Sequence, residues 1–182
     1  MRLRKIEERF RGRLVIERRS FALRPTPDPS IRFRGTYREQ GWQRAARLAA
    51  PDEVRFTMWQ RDDFPAWSIP ALAAAKCASF QSQEALERMH YALFEAFFTR
   101  GMNIANAAEI FTVAEECQLD MDRFRIDYAS GEGQKLAAEE YEASVNRLMV
   151  TAVPTVFFGQ ARVVGAVPLQ EYLRVLESLG LR

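Results

Sequence analysis

The chain has 182 residues, 48% of them apolar and 27% charged, with 13 Phe, 5 Tyr and 3 Trp, enough for one packed core and too apolar for a disordered chain. Two cysteines and one histidine exclude a disulfide framework, a four-thiolate zinc site and a multi-histidine metal site. The net charge of +2 hides an uneven distribution, 16 Lys+Arg against 7 Asp+Glu over positions 1–61, which reads as a solvated Arg-rich surface because it lacks the interleaved aromatics of a nucleic-acid platform.

No stretch reaches 18 consecutive apolar residues, so no membrane helix is expected. The opening Met1-Arg-Leu-Arg-Lys-Ile-Glu-Glu8 carries acids and no apolar signal core, which points to the cytoplasm. Residues 2–10 carry Leu3, Ile6 and Phe10 at helical spacing, and Gly12 closes that helix. Residues 13–21 alternate, with Leu14, Ile16, Arg18 and Ser20 on one face and Val15, Glu17, Arg19 and Phe21 on the other, the pattern of an edge strand. The run Arg24-Pro-Thr-Pro-Asp-Pro-Ser30 is a connector. A polar helix over 37–49 and an extended run over 54–59 follow.

From Ser68 to Val150 the spacing is helical almost throughout, over 69–80, 84–99, 106–117, 120–129 and 133–150. Thr155-Val-Phe-Phe158 and Ala161-Arg-Val-Val164, separated by Gly159-Gln160, read as a tight hairpin. Pro154 sits at the head of its first strand, a position proline tolerates. Pro168 opens a terminal helix with Tyr172, Val175, Leu176 and Leu179 on its buried stripe, and Gly180 closes it.

Three stretches together resemble the DsbA-like branch of the thioredoxin superfamily, and its cytoplasmic FrnE-like dithiol–disulfide oxidoreductases in particular. They are Val153-Pro154-Thr155-Val-Phe-Phe, Val164-Gly-Ala-Val-Pro168, and Tyr91-Ala-Leu-Phe94-Glu-Ala-Phe97-Phe98-Thr-Arg-Gly101-Met-Asn-Ile104. Relatives usually carry Gln where this chain has Val167. The resemblance implies an α/β thioredoxin-like fold with an inserted all-helical subdomain, divided as 1–62, 63–150 and 151–182. It also implies a cis-proline loop in which Val153, Pro154 and Thr155 bind substrate, and a protein or small-molecule thiol or disulfide partner, with glutathione a further candidate. No cofactor, metal, membrane or nucleic-acid partner is expected.

The family's opening strand and its Cys-x-x-Cys are absent from these 182 residues, so no residue present is assigned a catalytic role. The expectation is that the functional protein starts upstream of Met1, and that the chain as given lacks dithiol activity. Cys77, mid-helix, and Cys117, beside Glu115 and Glu116, have no activating surroundings and read as buried helical thiols. His90 reads as a partly buried helix residue, and Glu139, Glu140 and Glu142 as solvated surface. Two alternatives stay open. One is an enzyme resembling 2-hydroxychromene-2-carboxylate isomerase or kappa-class glutathione transferase, and the other is a non-catalytic thioredoxin-like binding module.

Overall fold

A computed structural model describes residues 2–181. Eight α-helices and one hairpin occur in the order α1 (Arg2–Arg9), α2 (Tyr37–Ala49), α3 (Ile69–Ser79), α4 (Gln83–Phe98), α5 (Ala107–Glu116), α6 (Met121–Ser130), α7 (Glu132–Asn146), β1 (Thr155–Phe158), β2 (Ala161–Val164) and α8 (Leu169–Ser178). A single 3-10 turn, Ala50–Asp52, follows α2.

Local chemistry sets these boundaries. The helices α2, α4, α5 and α6 begin at Thr36, Ser82, Asn106 and Asp120, and each of those side chains accepts a backbone N–H of the first turn. Gly159, with φ of +59°, supplies the first central position of the two-residue hairpin turn, where a side chain would be strained. The expected helix 133–150 stops at Asn146. Beyond it the N–H groups of Leu148 and Val150 fold back onto Ala143 and Ser144, with Met149 at positive φ.

Three apolar clusters hold the molecule together. The largest is built on α3, whose Ala71, Ala74, Cys77 and Ala78 are buried against Met89 and Leu93 of α4, Ile110 and Val113 of α5 and Phe124 of α6. A helix apolar on every side belongs in the centre of a bundle. A second cluster packs Ile31, Phe33, Trp42, Trp59 and Phe64 against Phe97 and Phe98 of α4. The third joins both ends of the chain: Ile6 from α1 and Phe10 just past its end pack with Tyr172 and Leu176 from α8, and Leu14, Val156, Phe158 and Val163 lie on them.

The sheet has two strands only, antiparallel, pairing Thr155 with Val164 and Phe158 with Ala161. Residues 13–21, expected as an edge strand, keep the alternating exposure of an extended segment but pair with no strand. Residues 54–59 are likewise extended without a ladder. Their backbone is met by helices instead, Thr57 N–H donating to the Phe98 carbonyl and the Trp42 indole to the Thr57 carbonyl.

Candidate functional site

The hairpin places the three residues expected to bind substrate at one end of β1. The Val153–Pro154 peptide is cis. Thr155 closes the turn by donating its hydroxyl to the Ala152 carbonyl at 2.6 Å. The Pro154 carbonyl accepts the Gly165 N–H at 2.7 Å, so the loop is tied to the Gly165–Pro168 turn. Val153 remains 40% exposed.

The start of α1 reaches the same turn from the other side. The Arg2 guanidinium donates to the carbonyls of Ala166 and Val167 at 3.1 and 2.8 Å, to Leu48 at 2.9 Å and to Asp52 at 2.7 Å. Lys5 joins the Asp52 carboxylate at 2.9 Å. Hydrogen bonds from Lys5 and Arg2 hold the Asp52 carboxyl below its ordinary range. The first turn of α1 contains no acid of its own; the carboxylate that meets it is Asp52, paired with Arg2 and Lys5. The loop 153–155 and the N-terminal end of α1 thus flank one turn, linked through Gly165 on one side and Arg2 on the other.

No thiol of the chain is near this place. Both cysteines lie in the helical core, Cys77 fully buried and Cys117 6% exposed. Burial, with the Asp127 carboxylate adding to it, pushes the Cys77 thiol up to about 12. Burial also raises Cys117, with Arg88 opposing and Glu116 reinforcing it. Neither is a nucleophile at neutral pH. Among the described residues, no group of three or more His, Cys, Asp or Glu could hold a metal, and no helix is long and apolar enough to cross a membrane.

His90 packs its ring against Tyr91 and Phe94 on α4. Burial, helped by the Arg18 charge, lowers it to about 4. The reading of Glu139, Glu140 and Glu142 as solvated surface needs correcting at Glu140. Its carboxylate is half-buried, receives Lys76 Nζ of α3 at 2.5 Å and accepts the Ser20 N–H at 2.6 Å. Burial would raise this carboxyl, but the bonds from Lys76 and Ser20 outweigh it and hold it below the ordinary range. A charge on α7 therefore fastens the extended segment to the bundle.

Arg18 does the same at the middle of that segment. It bonds Glu7 of α1 at 2.9 Å and Glu87 of α4 at 3.2 Å. Arg2 and Arg18, like Glu140, have roles that sequence reasoning missed. For Arg18 a signal existed, a charge on the otherwise apolar face of Leu14 and Ile16. For Arg2 there was none, since its partners are carbonyls far along the chain.

The residues 1–177 match the model of the DSBA-like thioredoxin domain. The chain belongs to that family. Two solved structures are similar to this member of it. One, a "putative protein disulfide isomerase" from Nitrosomonas europaea, has a TM-score of 0.77 at 16% identity, over 98% of this chain and 89% of the other. The second, a "probable DsbA oxidoreductase" from Streptomyces coelicolor, has a TM-score of 0.75 at 19% identity, over 100% of this chain and 83% of the other. At such identities the likeness concerns the fold. Among curated proteins the chain finds no match.

Proposed function

We propose that this DSBA-like domain is the substrate-docking body of a FrnE-like disulfide oxidoreductase, and that the 182 residues alone carry out no thiol–disulfide exchange. In such exchange a thiolate attacks one sulfur of a substrate disulfide. The S–S bond breaks, the other sulfur leaves as a thiolate, and a second thiolate resolves the mixed disulfide. This chain's residues provide the surroundings of that reaction. The loop Val153-Pro154-Thr155 offers exposed backbone to an extended segment, and Arg2 ties the start of α1 to the turn beside it. The observation that carries the reading is the Arg2 guanidinium, which fixes the α1 terminus to the turn that holds the Pro154 carbonyl.

The inactivity rests on the two thiols present, both buried and both raised. Insulin reduction by the purified chain is expected to match the no-protein control. Cys77 and Cys117 are expected to react with a colorimetric disulfide reagent only after denaturation. A disulfide-bearing peptide should shift the amide resonances of Val153 and Thr155 without being turned over. Activity above the control that disappears in Cys77→Ser would overturn the reading. So would shifts caused by glutathione disulfide and by no peptide, which would favour the glutathione-transferase alternative.

A further inference from the structure

The Arg-rich front of the chain reads in sequence as plain solvated surface, and the structure departs from that at a few positions. Four of its arginines are half-buried: Arg2, Arg18, Arg24 and Arg38. The first two end on carboxylates, Arg2 on Asp52 and Arg18 on Glu7. Arg24 and Arg38 end on none. Among the described residues neither guanidinium makes a hydrogen bond or an ion pair, and the Arg38 Nε is shielded from solvent without an acceptor. Each lies instead on an aromatic ring, Arg24 at 5.4 Å over Phe64 and Arg38 at 4.6 Å over Tyr37.

The second apolar cluster brings these two cations together. Arg38 and Trp42 stand one turn apart on the same face of α2. Trp42 packs on Phe64 with 6.3 Å between ring centroids, and Phe64 carries Arg24. The backbone of Arg24 is fixed by Ser68, whose N–H donates to its carbonyl and whose hydroxyl accepts its N–H, both at 3.0 Å. Burial, with the Arg38 charge adding to it, lowers Arg24 from its ordinary value. The acids nearby are occupied. Asp28 accepts the Ser30 N–H and hydroxyl at 3.0 and 2.6 Å, and Glu39 accepts the Gly35 N–H at 2.9 Å. Arg38 lies in the first turn of α2, about 15 Å along that helix from Leu48, whose carbonyl Arg2 takes. The pair is therefore set apart from the turn beside the loop 153–155.

We propose that Arg24 and Arg38 together bind a carboxylate, each guanidinium donating from its outer N–H groups beside the exposed ring of Tyr37. The balance of charge selects this ligand. The Asp28 charge is within reach of both arginines, so the three groups leave one positive charge. A carboxylate neutralises it, whereas a doubly charged phosphate would overshoot. A carboxylate is also flat and offers two oxygens to the flat guanidinium fork. The aromatic rings already hold both guanidiniums, so little side-chain order has to be gained when the ligand arrives. The carboxylate is that of an acidic side chain on a polypeptide or of a free organic acid. The site uses neither the thiols nor the loop 153–155, and it stands independently of the oxidoreductase reading.

The test uses the 182-residue chain, isotope-labelled, and two probes: acetate, and a short end-blocked peptide whose single charge is a central glutamate. Saturable shifts are expected at the Nε–H resonances of Arg24 and Arg38 and at the Tyr37 ring, with a rise in unfolding temperature. The glutamine version of the peptide should bind at least about tenfold more weakly. Arg24→Gln and Arg38→Gln should each cost a similar factor. Arg24→Lys keeps the charge and loses the fork, so it should fall between Arg24→Gln and the unaltered chain. Arg34→Gln removes the same charge from an arginine that donates to the Gln60 carbonyl, and it should leave binding almost unchanged. Tighter binding of the peptide assigns the site to a polypeptide, and equal binding of acetate assigns it to a free organic acid. The absence of a saturable shift from both probes would overturn the proposal. So would equal binding of the glutamate and glutamine peptides, an equal loss in Arg34→Gln, or tighter binding of inorganic phosphate than of either carboxylate. No probe carries sulfur, so failure here leaves the oxidoreductase reading standing, and failure of the insulin and disulfide-peptide experiments leaves this one standing.

Discussion

Gly133 is the second residue of α7 and is buried where that helix crosses α3. A Cβ built on it would lie 2.7 Å from the Ala73 carbonyl oxygen and 2.8 Å from Cys77 Sγ. Both are several tenths of an ångström inside ordinary contact, and the first neighbour is backbone in the middle of a buried helix, which has little room to retreat. Gly133→Ala should therefore cost about 1–3 kcal/mol in overpacking. Alanine's higher helix propensity offsets about 0.5–1 kcal/mol of that. The central net loss of about 1 kcal/mol lowers the unfolding temperature by roughly 2–4 °C for a chain of this size. Gly41 is the control: it lies inside α2 with nothing within 4 Å of its would-be Cβ, so Gly41→Ala should raise the temperature instead. Adding Cys77→Ala to Gly133→Ala removes the sulfur contact and leaves the carbonyl, so the double variant should lose less than the two single losses combined. Thermal unfolding followed by circular dichroism reads the four variants, Cys77→Ala alone included, against the unaltered chain. If Gly133→Ala stabilises as much as Gly41→Ala, the α3–α7 crossing is looser than its geometry says and the argument from close approach fails.

Glu140→Gln should lower stability at neutral pH by about 1–3 kcal/mol, measured by denaturant unfolding. The folded carboxyl is held below its ordinary range, so its contribution is present above the usual carboxylate range and fades as pH falls through the depressed value. The variant should therefore lose most of its deficit in acid, and an equal deficit at pH 7 and at low pH would count against the Lys76 and Ser20 account. His90 is the chain's one histidine, so its ring resonances are unambiguous and should titrate near the depressed value of about 4. Because the folded pKa is lowered, this residue's contribution to stability is complete above about 6.5 and declines as pH falls from there toward 4. A midpoint at 6 or above would show the ring to be solvated rather than packed on Phe94.

The parts of the molecule legible in the sequence are those whose signal is local. The expected helix starts at 84, 106 and 120 fall within a residue of those observed, because Ser82, Asn106 and Asp120 cap each helix inside its first turn, and Gly159-Gln160 fits a turn that its own backbone requires. Residues 13–21 show what alternation alone conveys. It specifies an extended backbone with a sided face, which the structure has, but pairing depends on a neighbouring strand that no local pattern encodes. Glu140 failed for a related reason. On the pattern of α7 it lies among charged positions, and only the approach of Lys76 from α3 and of Ser20 from the extended segment makes it an interior group.

The candidate site follows the same division. Val153, Pro154 and Thr155 were singled out by resemblance to the family's cis-proline loop, the residues themselves showing only a proline at a strand start, whereas Arg2 bridges to carbonyls more than 160 residues away. These long-range polar links also explain how an unpaired segment keeps its place. Arg18 reaches α1 and α4, Glu140 reaches it from α7, and Leu14 anchors its head in the α1–α8 cluster. A strand normally draws order from its ladder; here side chains on both flanking helical units supply it.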